Sequence, residues 1–360
     1  MISSTINEYA PDRVSPPGET LAETLDALGM SQAELAVRLG RPRKTVNEIV
    51  KGKAALEPAT ALQLESVLGV PAAFWMERES RYREFLARQS QRTALEAESA
   101  WARQFPFNTM AKLGWVALET PRSERVSVLL RYFGVASTDA WHELWTAREV
   151  SFRRPQKLRG SQPAIAAWLR QGEIHAQAIE CQPFHGDRFK AALKDARPLT
   201  CEAPEVFQPR LTTLFASAGV ALVWTPELVG APISGATRWV SEQKALIQVS
   251  LRYKTDDQLF FSIFHEAAHV LLHPKKAIFL EDGQQDTPEE READTFAADH
   301  LIPAGEYARL LETGLSSGEI ERFARQLEIA PGCVVGRLQH DKHLDFHQGN
   351  ALKRRLRWIV

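Results

Sequence analysis

The apolar positions of the first ninety residues recur every three or four places, which predicts short helices. Leu21, Leu25 and Leu28 mark the first, Leu35, Ala36 and Leu39 the second, Val46, Ile49 and Val50 the third, and Ala61, Leu64 and Leu68 the fourth. Gly29, Gly40, Gly52 and Gly69 each close one of these stripes, as C-terminal caps do. Ser31 and Glu34 have the spacing of a capping box at the start of the second helix. From 91 to 205 the pattern loosens into tryptophan-bearing helical pieces, 140–148 and 164–178, separated by Pro155, Pro163 and Pro183. Trp141, Trp145 and Trp168 lie at helical spacing and are expected in a core. From Gly219 the segments GVALVW, ISGATRWV and ALIQVSL have the β-branched and aromatic density of strands, and helical periodicity returns after Thr255. The pattern therefore predicts an α+β, mostly helical chain in three parts: an all-α domain over 1–90, a helical connector over 91–205, and a domain with a small sheet over 206–360.

Composition narrows this picture. At 360 residues and 44% hydrophobic, the chain can fill the cores of two or three domains. No run approaches the roughly 18 apolar residues of a membrane span. The first residues, MISSTINEYAPDR, lack the order of a signal peptide, so the expected location is cytoplasmic, with no membrane partner. Three cysteines without a CxxC pair exclude a disulfide scaffold and a cysteine-rich zinc module, and Cys181 and Cys201 read as inert thiols. A net charge of -1 first argues against nucleic acid, but the average hides a local field. Between Arg38 and Lys53 stand six basic residues and one acidic residue, Glu48.

That basic window coincides with the second and third helices, joined through Gly40 in the sequence form of a helix-turn-helix. Opposite the apolar face of the third helix lie Lys44, Asn47, Glu48 and Lys51, and Arg43 and Lys44 fall in its first turn, where a recognition helix meets bases or phosphates. The blander reading is a solvated face on a small bundle. The stretch PGETLAETLDALGMSQAELAVRLGRPRKTVNEIVKGKAALEPATALQLESVLGVPAAFWMERESRYRE resembles the Xre-type helix-turn-helix of HigA-like antitoxins and transcriptional regulators. PGE, SQAELA, KTVNEIVKG and FW match in order. The resemblance implies a homodimer on a double-stranded DNA operator, with Arg43, Lys44, Thr45, Asn47 and Lys51 as candidate DNA contacts.

The C-terminal third carries His265-Glu266-Ala267-Ala268-His269, an HExxH motif. On a helix the two histidines share a face and can reach one Zn²⁺, with Glu266 beside the metal-bound water as a general base. A metzincin would need Gly and His where Leu272 and Lys275 stand, so that class is excluded. His273 continues the spacing, but three successive turns converge poorly on one ion, so it reads as a supporting, substrate-facing or merely exposed residue. The acidic segment PEEREADTFAADHLIP reads as a helix from about Pro288 with an apolar stripe of Ala293, Phe296, Ala297 and Leu301. On it Glu290 and Asp294 are i and i+4, so one can ligate while the other holds a ligating histidine, and Glu292 is the weaker choice.

FSIFHEAAHVLLH, EREADTFAADHLIP, the upstream strands and PGCVVGRLQHDK resemble the gluzincin pattern and, more closely, the ImmA/IrrE family of metallopeptidases. The resemblance covers about 185–360. It implies a zincin-like domain with His265, His269 and Glu290 as zinc ligands, Glu266 as catalytic base and Asp294 behind a ligand. Gly235, Ala236 and Thr237 are expected at the accessible sheet edge, where a peptide substrate could pair. Arg238, His273 and His343 remain open as stabilisers of the oxyanion. His340, His343 and His347 near Cys333 read as ordinary polar residues, and Lys353, Arg354, Arg355 and Arg357 as a solvated basic tail. Together the two resemblances imply a DNA-binding regulator carrying a zinc-dependent endopeptidase that hydrolyses a peptide bond in a repressor or antitoxin. The alternative is a HigA-like antitoxin or repressor whose metal domain senses zinc or a ligand without proteolysis.

Overall fold

The computed structural model describes residues 14–151, 160–275, 278–281 and 287–358, with the side chains of 148–151 excepted. The predicted Pro155 break lies outside the described residues, as do 282–286 of the acidic stretch. The chain forms two compact units, Met1–Ala97 and Glu98–Val360.

In the first unit the apolar stripes become α1 (Pro17–Ala27), α2 (Gln32–Leu39), α3 (Arg43–Val50) and α4 (Pro58–Leu68), followed by α5 (Ala72–Ala97). Leu21, Leu25, Leu35, Leu39, Val46, Ile49, Leu64 and Trp75 form their shared core. Gly40 ends α2 in the left-handed region, at φ 65°. Ser31 accepts the Glu34 amide at 3.1 Å, but Glu34 gives its carboxylate to Arg38 at 2.6 Å, so only half of the expected capping box forms. Gly18 is required for a packing reason: a Cβ there would fall 2.2 Å from the Ile49 carbonyl oxygen, so α1 can dock on the end of α3 only with glycine. At 26 residues α5 is longer than its fading apolar stripe suggests. Ion pairs four residues apart, Glu77–Arg81, Glu79–Arg83 and Glu84–Arg88, line it instead.

The second unit opens with α6 (Ser99–Ala102), α7 (Phe107–Lys112), α8 (Arg125–Phe133) and α9 (Thr138–Ser151). Trp101, Phe105, Phe133 and Trp141 interlock there edge to face. Next come α10 (Gln162–Gln177), α11 (Gly186–Ala196) and α12 (Pro204–Ser217), then β1 (Val220–Trp224), β2 (Gly235–Ser241) and β3 (Lys244–Val249). The unit closes with α13 (Asp256–Leu272), β4 (Phe279–Glu281), α14 (Pro288–Leu301), α15 (Ala304–Thr313), α16 (Ser317–Leu327) and α17 (Pro331–His340). Trp141, Trp145 and Trp168 are all buried, as expected.

The strands form one mixed sheet in the order β1-β3-β2-β4, with β1 parallel to β3 and the other pairs antiparallel. Period-2 alternation buries both faces. Ala221, Val223 and Leu246 pack with Ala176 of α10, whereas Val220, Leu222, Ala245, Ile247 and Val249 join the large core that includes α13. Gln248 reaches the α10 side and donates to the Trp168 carbonyl at 2.7 Å, in space that a Cβ on Gly172 would occupy.

The expected sheet edge is wrong. Gly235, Ala236 and Thr237 pair with Val249, Gln248 and Ile247 on one side and with Glu281, Leu280 and Phe279 on the other. The three-residue β4 takes the outer position, and a strand so short leaves no alternation to read. The basic tail also departs from expectation. Arg354 Nε binds Asp256 Oδ2 at 2.9 Å and Lys353 Nζ lies 2.7 Å from Asp257 Oδ2, so two of its cations are tied to the first turn of α13. Cβ atoms on Gly332 and Gly336 would stand 2.5 and 2.7 Å from these aspartates, which explains the two glycines of PGCVVG.

Candidate functional site

Helix α13 runs beneath β2, and α14 packs against it; together they carry every residue of the expected metal site. Thr287 caps α14 by accepting the Glu290 amide at 3.3 Å, and Pro288 supplies the first-turn φ, so Glu290 sits in the first turn facing α13. His265 Nε2 lies 3.0 Å from Glu290 Oε2 and 3.1 Å from His269 Nε2, and His269 Nε2 lies 3.7 Å from Glu290 Oε2. A tetrahedral ion with bonds near 2.0–2.1 Å needs donors about 3.3 Å apart, and these separations bracket that value. All three residues are buried, and they are the candidate metal-holding group among the described residues.

The surroundings suit a cation. His265 Nδ1 meets Asp294 Oδ1 at 2.9 Å; with the proton on Nδ1, the Nε2 lone pair points at the other two donors. Burial disfavours a charged His265, yet hydrogen bonds to Asp294 and Glu290 raise its pKa well above the usual imidazole range. Burial, with His265 and His273 nearby, lowers that of His269 to about 4. Glu290 resists its own burial because both histidines bond to it, and its pKa falls to about 2. A proton on His265 thus satisfies two carboxylates at once, and a divalent cation meeting the same three donors would do so with more charge.

Glu266 is fully buried. Neither of its carboxylate oxygens has a hydrogen-bond partner among the described residues; the Thr237 hydroxyl donates at 3.0 Å to the Glu266 main-chain carbonyl instead. Burial pushes its pKa well up, His265 opposes the shift and Glu281 adds to it. The carboxylate lies against Gly235, where a Cβ would come within 2.5 Å of Oε1. The glycine expected at an exposed edge is therefore the floor on which Glu266 rests.

A cavity of about 400 Å³ opens on the site, lined on the α13–α14 side by His265, Glu290 and Asp294 and closed by Arg337 and His340 of α17 and by Asp341, which follows that helix. Glu281 of β4 and Arg337 belong to this wall and were not singled out from sequence, because only the strand pairing and the fold-back of α17 bring them there. Of the three open oxyanion candidates, none faces the cavity. Arg238 alternates to the α10 side of β2 and pairs with Glu173 at 2.5 Å. His273 sits behind His269, with its Nδ1 2.8 Å from His269 Nδ1, and His343 is exposed beside Tyr307. His340 bonds Asp341, and among the described residues His340, His343 and His347 form no candidate metal group.

In the first unit, α3 presents Arg43 and Lys44 to solvent, as does Lys51 at its C-terminal cap, with Thr45 and Asn47 half-buried. Asn47 donates to Gln32 of α2 at 3.2 Å, which ties the two helices of the motif together. Lys44 and Glu48 stand 3.8 Å apart and exposed, a pairing too weak to hold the lysine from a phosphate.

The fold and the site define a helix-turn-helix regulator with a peptidase-type domain later in the sequence. Residues 21–75 match the helix-turn-helix family HTH_3, and residues 234–339 match Peptidase_M78, the IrrE N-terminal-like domain. The HTH-type transcriptional regulator YddM of Escherichia coli K12 is 32% identical over 66 residues, 18% of this chain and 70% of that protein. The chain belongs to these HTH-type regulators and carries a Peptidase_M78 domain at its C-terminal end. Two solved structures are also similar to it. An addiction module antidote protein of the HigA family from Coxiella burnetii is 33% identical, covering 24% of this chain and 95% of that one, with a TM-score of 0.22. An antidote protein of a plasmid maintenance system from Nostoc punctiforme PCC 73102 is 28% identical, covering 24% and 93%, with a TM-score of 0.23. No helix among the described residues is long and apolar enough to cross a membrane.

Proposed function

We propose that this regulator hydrolyses a peptide bond in a second regulatory protein, a repressor or antitoxin, through a zinc site made of His265, His269 and Glu290. The observation that carries this reading is the convergence of three buried donors at 3.0, 3.1 and 3.7 Å next to a buried glutamate whose carboxylate oxygens have no hydrogen-bond partner among the described residues. Bound zinc would supply a water acidified to a pKa near 7 and a Lewis acid for the scissile carbonyl. The chain's own part is to hold and move protons. Asp294 keeps the His265 proton on Nδ1, and Glu266, its carboxylate buried against Gly235, takes the proton of the attacking water and returns it to the leaving amine. The outer edge of β4, beside the cavity, can align an extended segment by main-chain pairing.

Two experiments test the two halves. The purified full-length chain should bind one zinc and cleave unfolded peptide substrates; removal of zinc with a chelator should abolish cleavage, and stoichiometric zinc should restore it. Cleavage unaffected by chelation, or none with zinc bound, would refute the peptidase reading and leave the metal domain as a sensor. For the DNA half, the homodimer should bind a two-half-site operator through Arg43, Lys44, Thr45, Asn47 and Lys51. Arg43→Ala with Lys44→Ala should lower the slope of log K against log salt by about 2, roughly one per lost phosphate contact. An unchanged slope removes α3 from the interface.

A further inference from the structure

The two histidines of the site use their Nε2 atoms toward each other and toward Glu290, so the function of each depends on what holds its Nδ1. For His265 that partner is Asp294. For His269 it is another histidine: His269 Nδ1 lies 2.8 Å from His273 Nδ1, and His273 Nε2 lies 3.3 Å from Glu292 Oε2. Helix α13 ends at Leu272, where Pro274 follows, and His273 takes an extended conformation, φ -111° and ψ 160°. Its ring therefore leaves the helical path and drops behind His269, on the side away from Glu290. It cannot share an ion with the other three residues. The Phe279 ring stacks on His269 at 4.0 Å and touches His273 at 5.2 Å, which fixes both imidazoles against β4.

We infer that His273 and Glu292 form a positioning relay that sets the tautomer of His269 for metal binding, as Asp294 does for His265. This inference rests on the metal site proposed above. If His269 is to offer the lone pair of Nε2 to a cation, its proton must sit on Nδ1. That proton points at His273 Nδ1, which must accept it. A neutral His273 that accepts at Nδ1 carries its own proton on Nε2, where the Glu292 carboxylate accepts in turn. Each role follows from the one before, and the chain ends on a negative charge. The His273 side chain is 4% exposed and that of Glu292 59%, so the relay runs from the buried site to the surface.

The test is zinc affinity, measured by chelator competition in a Glu266→Gln background so that turnover plays no part. His273→Leu removes the acceptor and should weaken zinc binding 10–100-fold, the usual effect of losing a partner behind a ligating histidine. His273→Asn can place its Oδ1 where Nδ1 stood and should restore affinity to within a few-fold of the parent. Glu292→Lys, which puts a donor where the relay needs an acceptor, should weaken binding as well. Nitrogen-15 spectra of the zinc-loaded parent should show His273 protonated at Nε2. The inference is overturned if the leucine variant binds zinc as tightly as the parent, if the folded asparagine variant does no better than leucine, or if His273 carries its proton on Nδ1. A parent that binds no zinc at all overturns the metal site itself and this relay with it.

Discussion

Glu266→Gln is expected to slow peptide hydrolysis about 10³-fold while leaving zinc bound at full stoichiometry, within the range that a positioned general base contributes. Glutamine keeps the volume of the side chain and its place against Gly235, but it cannot take a proton from water. The substitution should not weaken the fold. Burial already raises the pKa of Glu266 because an ionised carboxylate in that place is costly, and its oxygens have no hydrogen bonds to lose among the described residues. Thermal unfolding therefore separates the two outcomes. A variant that hydrolyses as fast as wild type denies Glu266 its role, and one that loses activity together with several degrees of melting temperature shows damage to the fold instead. The same variant sorts regulator from protease: if operator binding and the fate of the partner protein are unchanged, the metal domain acts as a sensor.

What could be read from sequence was whatever a single helix encodes. The i and i+4 histidines of α13, the i and i+4 carboxylates of α14 and the apolar stripe Ala293, Ala297 and Leu301 are local periodicities, and the structure places them as the spacing implied. The positions misread are those set by pairing across long loops. Gly235, Ala236 and Thr237 look like an edge until β4 is known, and β4 is only Phe279, Leu280 and Glu281. Arg238 is one residue from Thr237, yet strand alternation turns it to the opposite face of the sheet, onto Glu173. The spacing of His273 argues against a place on the ion, but it does not show that the helix ends one residue before it, at Leu272. Helix α10 is legible as a helix, but not as the cover of one sheet face, because its polar contacts with that sheet come from Arg238, Lys244 and Gln248, 65 to 80 residues away.

The tail offers the clearest case of a long-range interaction hidden from sequence, and it carries the second large effect. Lys353→Met should destabilise the second unit by about 3 kcal/mol, since breaking a buried pair on one side leaves an uncompensated charge. The Asp257 side chain is 2% exposed and that of Lys353 11%, so water can do little to replace the lost cation. Lys353 also donates to Gln339 of α17 at 2.6 Å, which makes it the link between α17 and the start of α13. For a domain of this size the loss corresponds to a fall in melting temperature of roughly 6–12 °C. The double variant Lys353→Met with Asp257→Asn should recover most of it, because removing both charges is far cheaper than orphaning one. Equal melting temperatures for the single and double variants would show that the lysine acts through Gln339 alone. Recovery would show that two aspartates in the first turn of α13, favourable to the helix dipole but costly to bury, are held by the last residues of the chain. The helix that carries His265 and His269 would then be anchored at its N-terminal end by Lys353 and Arg354, nearly a hundred residues further along the sequence.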